Sequence, residues 1–161
     1  TNRINPGRLT AVPIVMRCYL FLHISSGHGG NNFKGMIRDL AFVYPDFLII
    51  AADWFSIVPP KDYFEAVVDD HAGESETSVM MHYHPELVNL AEAGDGESQP
   101  FAIPSLNEKV GWAPRHWNKA TVDSGVGNPK KASAEKGERY MKPVVEKLAK
   151  LFTEVGLGSL Y

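Results

Sequence analysis

Ser26-Gly27-His28-Gly29-Gly30-Asn31 is the stretch on which the fold turns. Before it, Cys18 to Ile24 is a continuous apolar and aromatic run, as expected of a strand covered on both faces. After it, Phe33, Met36, Ile37, Leu40 and Tyr44 recur at steps of three and four, which predicts an amphipathic helix. Pro45 stops that helix. Phe47 to Ala52 then reads as a second buried strand, ending in Asp53-Trp54. Strand, helix and strand of these lengths make a right-handed βαβ unit with parallel strands, so the class is α/β. A histidine among three glycines at a strand-to-helix junction is hard to explain by packing, because glycines there let the backbone come close to something else. Such sheets bind ligands at the carboxyl ends of their strands. His28 is therefore a candidate metal ligand or polar catalytic group; the competing reading is a tight turn carrying a surface histidine.

The bulk properties narrow the classes. A length of 161 residues suits a single domain, here residues 1–161. With 44% hydrophobic and 22% charged residues and a formal net charge of -3, there is no basic field for nucleic acid or an anionic membrane, and neither partner is expected. The apolar stretch from Val12 to Ile24 is broken by Pro13, Arg17 and His23 and is too short to span a bilayer. The single cysteine, Cys18, excludes an internal disulfide and fits a reducing compartment, so a cytoplasmic location is expected.

Further along, Ser56 to Tyr63, with Pro59-Pro60, reads as a loop, and a helix is expected from about Gly73 to Tyr83, stopped by Pro85. The carboxylates in its first turn would favour the helix dipole. Leu87 to Leu90 is a candidate helical turn. From Ala93 to about Lys131 no period is sustained, and a stretch of that kind is usually functional or an oligomer contact. Ser133 can cap a last helix with Glu135 in its first turn. Met141, Val144, Val145, Leu148, Phe152 and Val155 form its apolar stripe, read as core, and Gly156 is a plausible stop. Pro143 inside the pattern predicts a kink or a restart.

The second candidate for chemistry is the acidic cluster around His71: Asp69 and Asp70 before it, Glu74 and Glu76 after it. On one continuous helix His71 and Glu76 would stand about 140° apart. They can serve one site only if His71 lies ahead of the helix, on a loop that Ala72-Gly73 permits. Imidazole plus carboxylate is a ligand set for zinc, manganese or iron in a hydrolytic site. A solvated acidic helix start with a surface histidine is the competing reading. His82 and His84, two apart, point to nearly opposite faces of a helix and chelate together only if that end unwinds. His23 alternates within a strand, and His116 falls in the irregular region. Asp53-Trp54 ends on the same sheet edge as His28, which makes Trp54 a candidate wall for a small molecule. No phosphate loop, dinucleotide fingerprint or nucleophile elbow is present, and Cys18 has no electropositive neighbour to make it a nucleophile.

Three segments in order, Ser26 to Asn31, Asp70-His-Ala-Gly-Glu-Ser-Glu-Thr-Ser78 and Gly127-Asn-Pro-Lys-Lys-Ala-Ser-Ala-Glu-Lys-Gly-Glu138, resemble the creatininase (creatinine amidohydrolase) family from Leu20 to the C-terminus. The resemblance implies a three-layer α/β/α fold around a mainly parallel sheet, often assembled as a homo-oligomeric hexamer. It implies metal-dependent hydrolysis of a small cyclic amide, formamide or related C–N bond by metal-activated water, at a two-metal site of Zn, Mn or Fe. Residue by residue it makes His28 and Glu76 metal ligands and His71 a catalytic group. Gly27, Gly29, Trp54 and Asp70 are expected to face the substrate. The family's earlier Glu-x-His-Gly ligand pair does not occur here, so the chain is expected to lack the N-terminal half of the family fold. Gly30 stands where creatininase itself carries a glutamate ligand, which favours an amide other than creatinine. The alternative is a truncated, non-catalytic α/β module for assembly or small-ligand binding.

Overall fold

Two parallel strands carry the glycine turn. In the computed structural model of the chain, which describes residues 21–26 and 29–157, β1 (Phe21–Ser26) pairs with β2 (Leu48–Asp53) from Phe21↔Leu48 to Ser26↔Asp53. Between them runs α1 (Lys34–Val43), which packs on β2. The strand–helix–strand order is the one the hydrophobic periods predict. Of the expected first strand, Cys18 to Leu20 lies outside the described residues, and its described part continues through two serines. The expected loop after β2 instead holds a helical turn, α2 (Trp54–Ile57), and a 3-10 turn at Pro60–Asp62, where proline's fixed φ suits a first helical position.

The chain divides into two compact units, one from residues up to Ile57 together with Val145 onward, the other from Val58 to Val144. In the second unit, β3 (Asp69–His71) pairs antiparallel with β4 (Val126–Gly127) and leads into α3 (Glu74–Tyr83). Two short helices, α4 (Pro104–Asn107) and α5 (Trp117–Ala120), and a 3-10 turn at Pro129–Lys131 punctuate the segment that shows no period. The last element, α6 (Ala134–Leu157), starts where expected: the Ser133 hydroxyl accepts the N–H of Lys136 at 3.2 Å. It runs through Pro143 as one helix, so the restart predicted there does not occur.

What holds the second unit together is legible in the third quoted segment. Gly127 sits at φ +118, and a Cβ there would fall 2.6 Å from the carbonyl oxygen of Val68. Gly137 lets α6 approach α3 so closely that an added Cβ would meet the Ser78 carbonyl oxygen at 2.1 Å. Ser78 itself donates to the Glu74 carbonyl at 2.6 Å and accepts the Ser133 N–H at 3.1 Å, which ties the start of α6 to the first turns of α3. Around this contact Val58, Phe64, Val126, Ala132, Tyr140 and Val144 are buried. The Tyr140 ring stands edge-on to Tyr63 and Phe64 at 5.3 and 5.1 Å, with its hydroxyl donating to the Val58 carbonyl. The C-terminal apolar stripe is thus core only at Val144; Val145 and Phe152 are exposed.

Candidate functional site

β3 delivers His71 to the head of α3 through one residue in the left-handed region, Ala72 at φ 50. A β-carbon makes that conformation costly by about 1 kcal/mol, and the turn is fastened on both sides. The Ala72 N–H donates to Glu76 Oε2 at 2.7 Å, and its carbonyl accepts the Thr77 hydroxyl at 3.2 Å. His71 therefore lies ahead of the helix, as the spacing requires, but at the end of a strand rather than on a loop. That placement overcomes the helical offset: His71 Nδ1 stands 3.7 Å from Glu76 Oε2, an ion-pair distance that counts only when the imidazole is protonated. Both side chains are partly exposed, at 36% and 28%.

The opposite wall comes from the irregular segment. The Trp117 ring lies 5.0 Å from that of His71, tilted by 60°. The Arg115 guanidinium sits over the same indole, 4.7 Å from its centroid, and donates to the Asp70 carboxylate. Sequence reasoning missed Arg115 and Trp117, because no spacing or period marks them, and considered only the exposed His116 between them. Asp70, expected to face substrate, is at the site with its carboxylate engaged by Arg115.

The neighbouring glutamate has a different fate. Glu74 is fully buried, not a solvated first-turn carboxylate: Oε2 accepts the N–H groups of Glu65 and Ala66 at 2.8 and 2.7 Å, and Oε1 accepts from Lys136 Nζ. Lys136 also bonds Glu65 Oε1 and the Lys131 carbonyl, while Lys131 Nζ reaches Glu65 Oε2 at 2.7 Å. The two lysines hold the Glu65 carboxyl down to about 2, and the bond that Lys136 donates to Glu74, against the cost of desolvation, raises Lys136. Burial pushes the Asp69 carboxyl up, opposed by its bonds from Ser75 at the start of α3.

His28 and Gly27 lie outside the described residues, as does His23's side chain. Gly29 and Trp54 belong to the first unit. There the paired ends of β1 and β2 share one edge, and a Cβ at Gly29 would lie 3.8 Å from the Phe55 ring, next to Trp54. His84 follows the end of α3 and pairs with Glu86, while His82 lies in the last turn of that helix. The imidazole and carboxylate of His71 and Glu76 suit zinc, manganese or iron in kind. In number they fall short of the three protein donors usual for zinc, and among the described residues no group of three His, Cys, Asp or Glu is placed to hold a metal ion. No helix of the described residues is long and apolar enough to cross a membrane.

Comparison with known proteins bears on the same elements. A crystal structure described as a creatinine amidohydrolase from Bacteroides fragilis NCTC 9343 is 81% identical, with a TM-score of 0.85 over 87% of this chain and 55% of that one. A creatininase mutant complexed with creatine is 23% identical, with a TM-score of 0.63 over 89% of this chain and 63% of that one; at this identity the likeness shows the fold. The mycofactocin precursor peptide peptidase of Mycobacterium ulcerans (strain Agy99) is 32% identical over 126 residues, 75% of this chain and 43% of that protein. The chain thus spans about half the length of these relatives. The family model for creatininase, creatinine amidohydrolase, matches residues 21–152, from the first residue of β1 to the last turns of α6. With the α/β order, the turn that lifts His71 clear of α3 and the glycine contacts of the third segment all inside that match, the chain belongs to the creatininase family.

Proposed function

We propose that this chain carries part of the active site of a metal-dependent amidohydrolase that cleaves the C–N bond of a small amide. The observation that carries the reading is the meeting of His71 and Glu76 at the head of α3, which a continuous helix would keep apart. The relatives support it: solved creatininases include a Zn-Zn type and an Mn form, one holds creatine, and the mycobacterial relative is named as a peptidase. All of these names concern C–N bonds or the divalent metals that act on them.

In this reading Glu76, fixed by the Ala72 N–H, and His28 are metal ligands, and further donors come from the part of the relatives' length that this chain does not span. A divalent metal held there, Zn, Mn or Fe in a two-metal site, would supply Lewis-acid polarisation of the carbonyl and lower the pKa of a water. The chain's own residues do the rest. His71, packed on Trp117 and facing Glu76, holds a proton for the leaving nitrogen. Gly27, Gly29, Trp54 and Asp70 are the residues that the family resemblance would turn toward the substrate. The working enzyme is a cytoplasmic homo-oligomer, a hexamer by family resemblance.

Hydrolysis of creatinine, an N-formyl amine and a short peptide by a protein of the relatives' full length that carries this chain, each followed by release of its amine product with added Zn or Mn, tests the proposal. One of the three is turned over, and His71→Ala removes at least about a hundredfold of the rate. Metal uptake without turnover of any of the three, or a His71→Ala rate equal to wild type, would sink it.

A further inference from the structure

Arg115 makes a contact pattern that folding alone does not call for. Its guanidinium donates through one terminal nitrogen to Asp70, and its other N–H groups have no protein partner among the described residues. The pair it forms is partly solvated, with Asp70 54% exposed, and such surface pairs contribute only about 0–1 kcal/mol to stability. Arg139 shows what a structural arginine looks like in the same unit. It lies over the Tyr63 ring at 5.8 Å and donates to the Tyr63 carbonyl, fastening one segment of chain to another. Among the described residues Arg115 bonds no backbone. It rests instead on the face of Trp117, which in turn packs on His71, so that a cation with spare donors is held one indole away from the candidate catalytic imidazole.

A planar fork with unused donors matches a carboxylate, and stacking on an indole keeps it oriented without filling those donors. The geometry points to Arg115 as a specificity residue that reads a carboxylate on the substrate a few bonds from the scissile amide. Asp70 and Trp117 act as positioning residues, one steering the guanidinium and the other carrying it beside His71. The substrate class is then an acylated amino acid or similar anionic amide rather than a neutral one. This inference rests on the hydrolase reading of His71 and Glu76 and deepens it.

The two can fail separately, because the test reads binding and not turnover. Titrate the whole chain with N-acetylglycine and, separately, with its neutral counterpart N-acetylglycinamide, following the Trp117 indole N–H signal by NMR. The acid binds about five- to tenfold more tightly than the amide, as one charge-assisted contact in a half-exposed site should give. Arg115→Gln makes the two probes equal, and Arg115→Lys keeps part of the preference, since it retains the charge and loses the fork. Equal affinities in the wild type, no response to either probe, or a preference that survives Arg115→Gln would overturn the assignment. The wild-type comparison stands even if a variant does not fold. An Arg115-dependent preference in a protein that hydrolyses nothing would leave this site and remove the enzyme; hydrolysis indifferent to the carboxylate would do the reverse.

Discussion

Glu74 and Glu76 sit two residues apart in the same acidic run, and the structure separates them completely. Glu74 is fully buried with three bonds to its carboxylate, from Glu65, Ala66 and Lys136. Glu76 is partly exposed and holds the Ala72 turn. Glu74→Gln keeps an acceptor for the two backbone N–H groups but turns an NH2 toward the Lys136 ammonium, which loses its buried partner and keeps only Glu65 and the Lys131 carbonyl. We expect a loss of about 3 kcal/mol in urea unfolding. Glu76→Gln removes one charge-assisted bond at a half-exposed site, about 1 kcal/mol, but in the proposed enzyme it takes away a metal ligand. Glu74→Gln should therefore cost mainly stability and Glu76→Gln mainly metal content, when both are measured on both variants. Sequence could place both residues in a first helical turn, but not say which one faced inward. That depends on a lysine 62 residues further along the chain reaching Glu74. The need for His71 to stand ahead of its helix was legible, because it follows from the helical period alone. Trp117 and Arg115 were not, because a tryptophan without periodic neighbours carries no direction.

At the scale of elements, the parts with a strong period were readable and the parts held by long-range pairing were not. The β1–α1–β2 unit and the bounds of α3 and α6 follow from apolar spacing, from the Ser133 cap and from Pro45 and Pro85 as stops. β4 is two residues long, too short to show alternation, and exists because β3 pairs with it. The α3–α6 contact depends on a residue whose side chain is absent. Gly137→Ala gains about 1 kcal/mol of helix propensity. Its Cβ, however, would overlap a backbone oxygen at 2.1 Å that has no flexible end to yield. Overpacking of that kind costs about 1–3 kcal/mol and should win, giving a lower midpoint in thermal unfolding. The same interface sets an acid limb. Glu65 titrates near 2 in the folded protein against 4.5 without its lysines. Its depressed value contributes stability that is complete above pH 4.5 and is lost as pH falls toward about 2. Asp69, pushed up by burial, runs the other way and is relieved on protonation. Glu65→Gln should flatten the decline between these pH values; an unchanged acid limb would mean the lysine contacts do not persist in solution.

Across the whole molecule, apolar side chains are left in water where an isolated chain would be expected to cover them. α1 was predicted to bury one face, and Phe33, Ile37 and Leu40 are partly covered, yet Met36 is 44% exposed and Phe42 and Tyr44 are 90% and 58% exposed. Val43, next to Phe42, is exposed as well, and it lies on the same face as Met36, seven residues back. No residue of α1 is buried. Scattered exposed apolar residues need no explanation, but a run of them at one end of a helix marks a surface that another one covers. The homo-oligomer proposed above would cover such a surface, and α1 offers a patch consistent with one. Light scattering behind size-exclusion chromatography should therefore report more than one chain per particle, with the fraction assembled rising with concentration. Phe42→Glu puts a charge into that patch without touching Ala72, His71 or Glu76. It should move the protein toward monomer by at least about tenfold in dissociation constant, since burying an unpaired carboxylate in an apolar contact costs well over 1.4 kcal/mol. A wild-type chain that stays monomeric throughout, or a Phe42→Glu variant that assembles like the wild type, would show that α1 is covered by something other than a second copy.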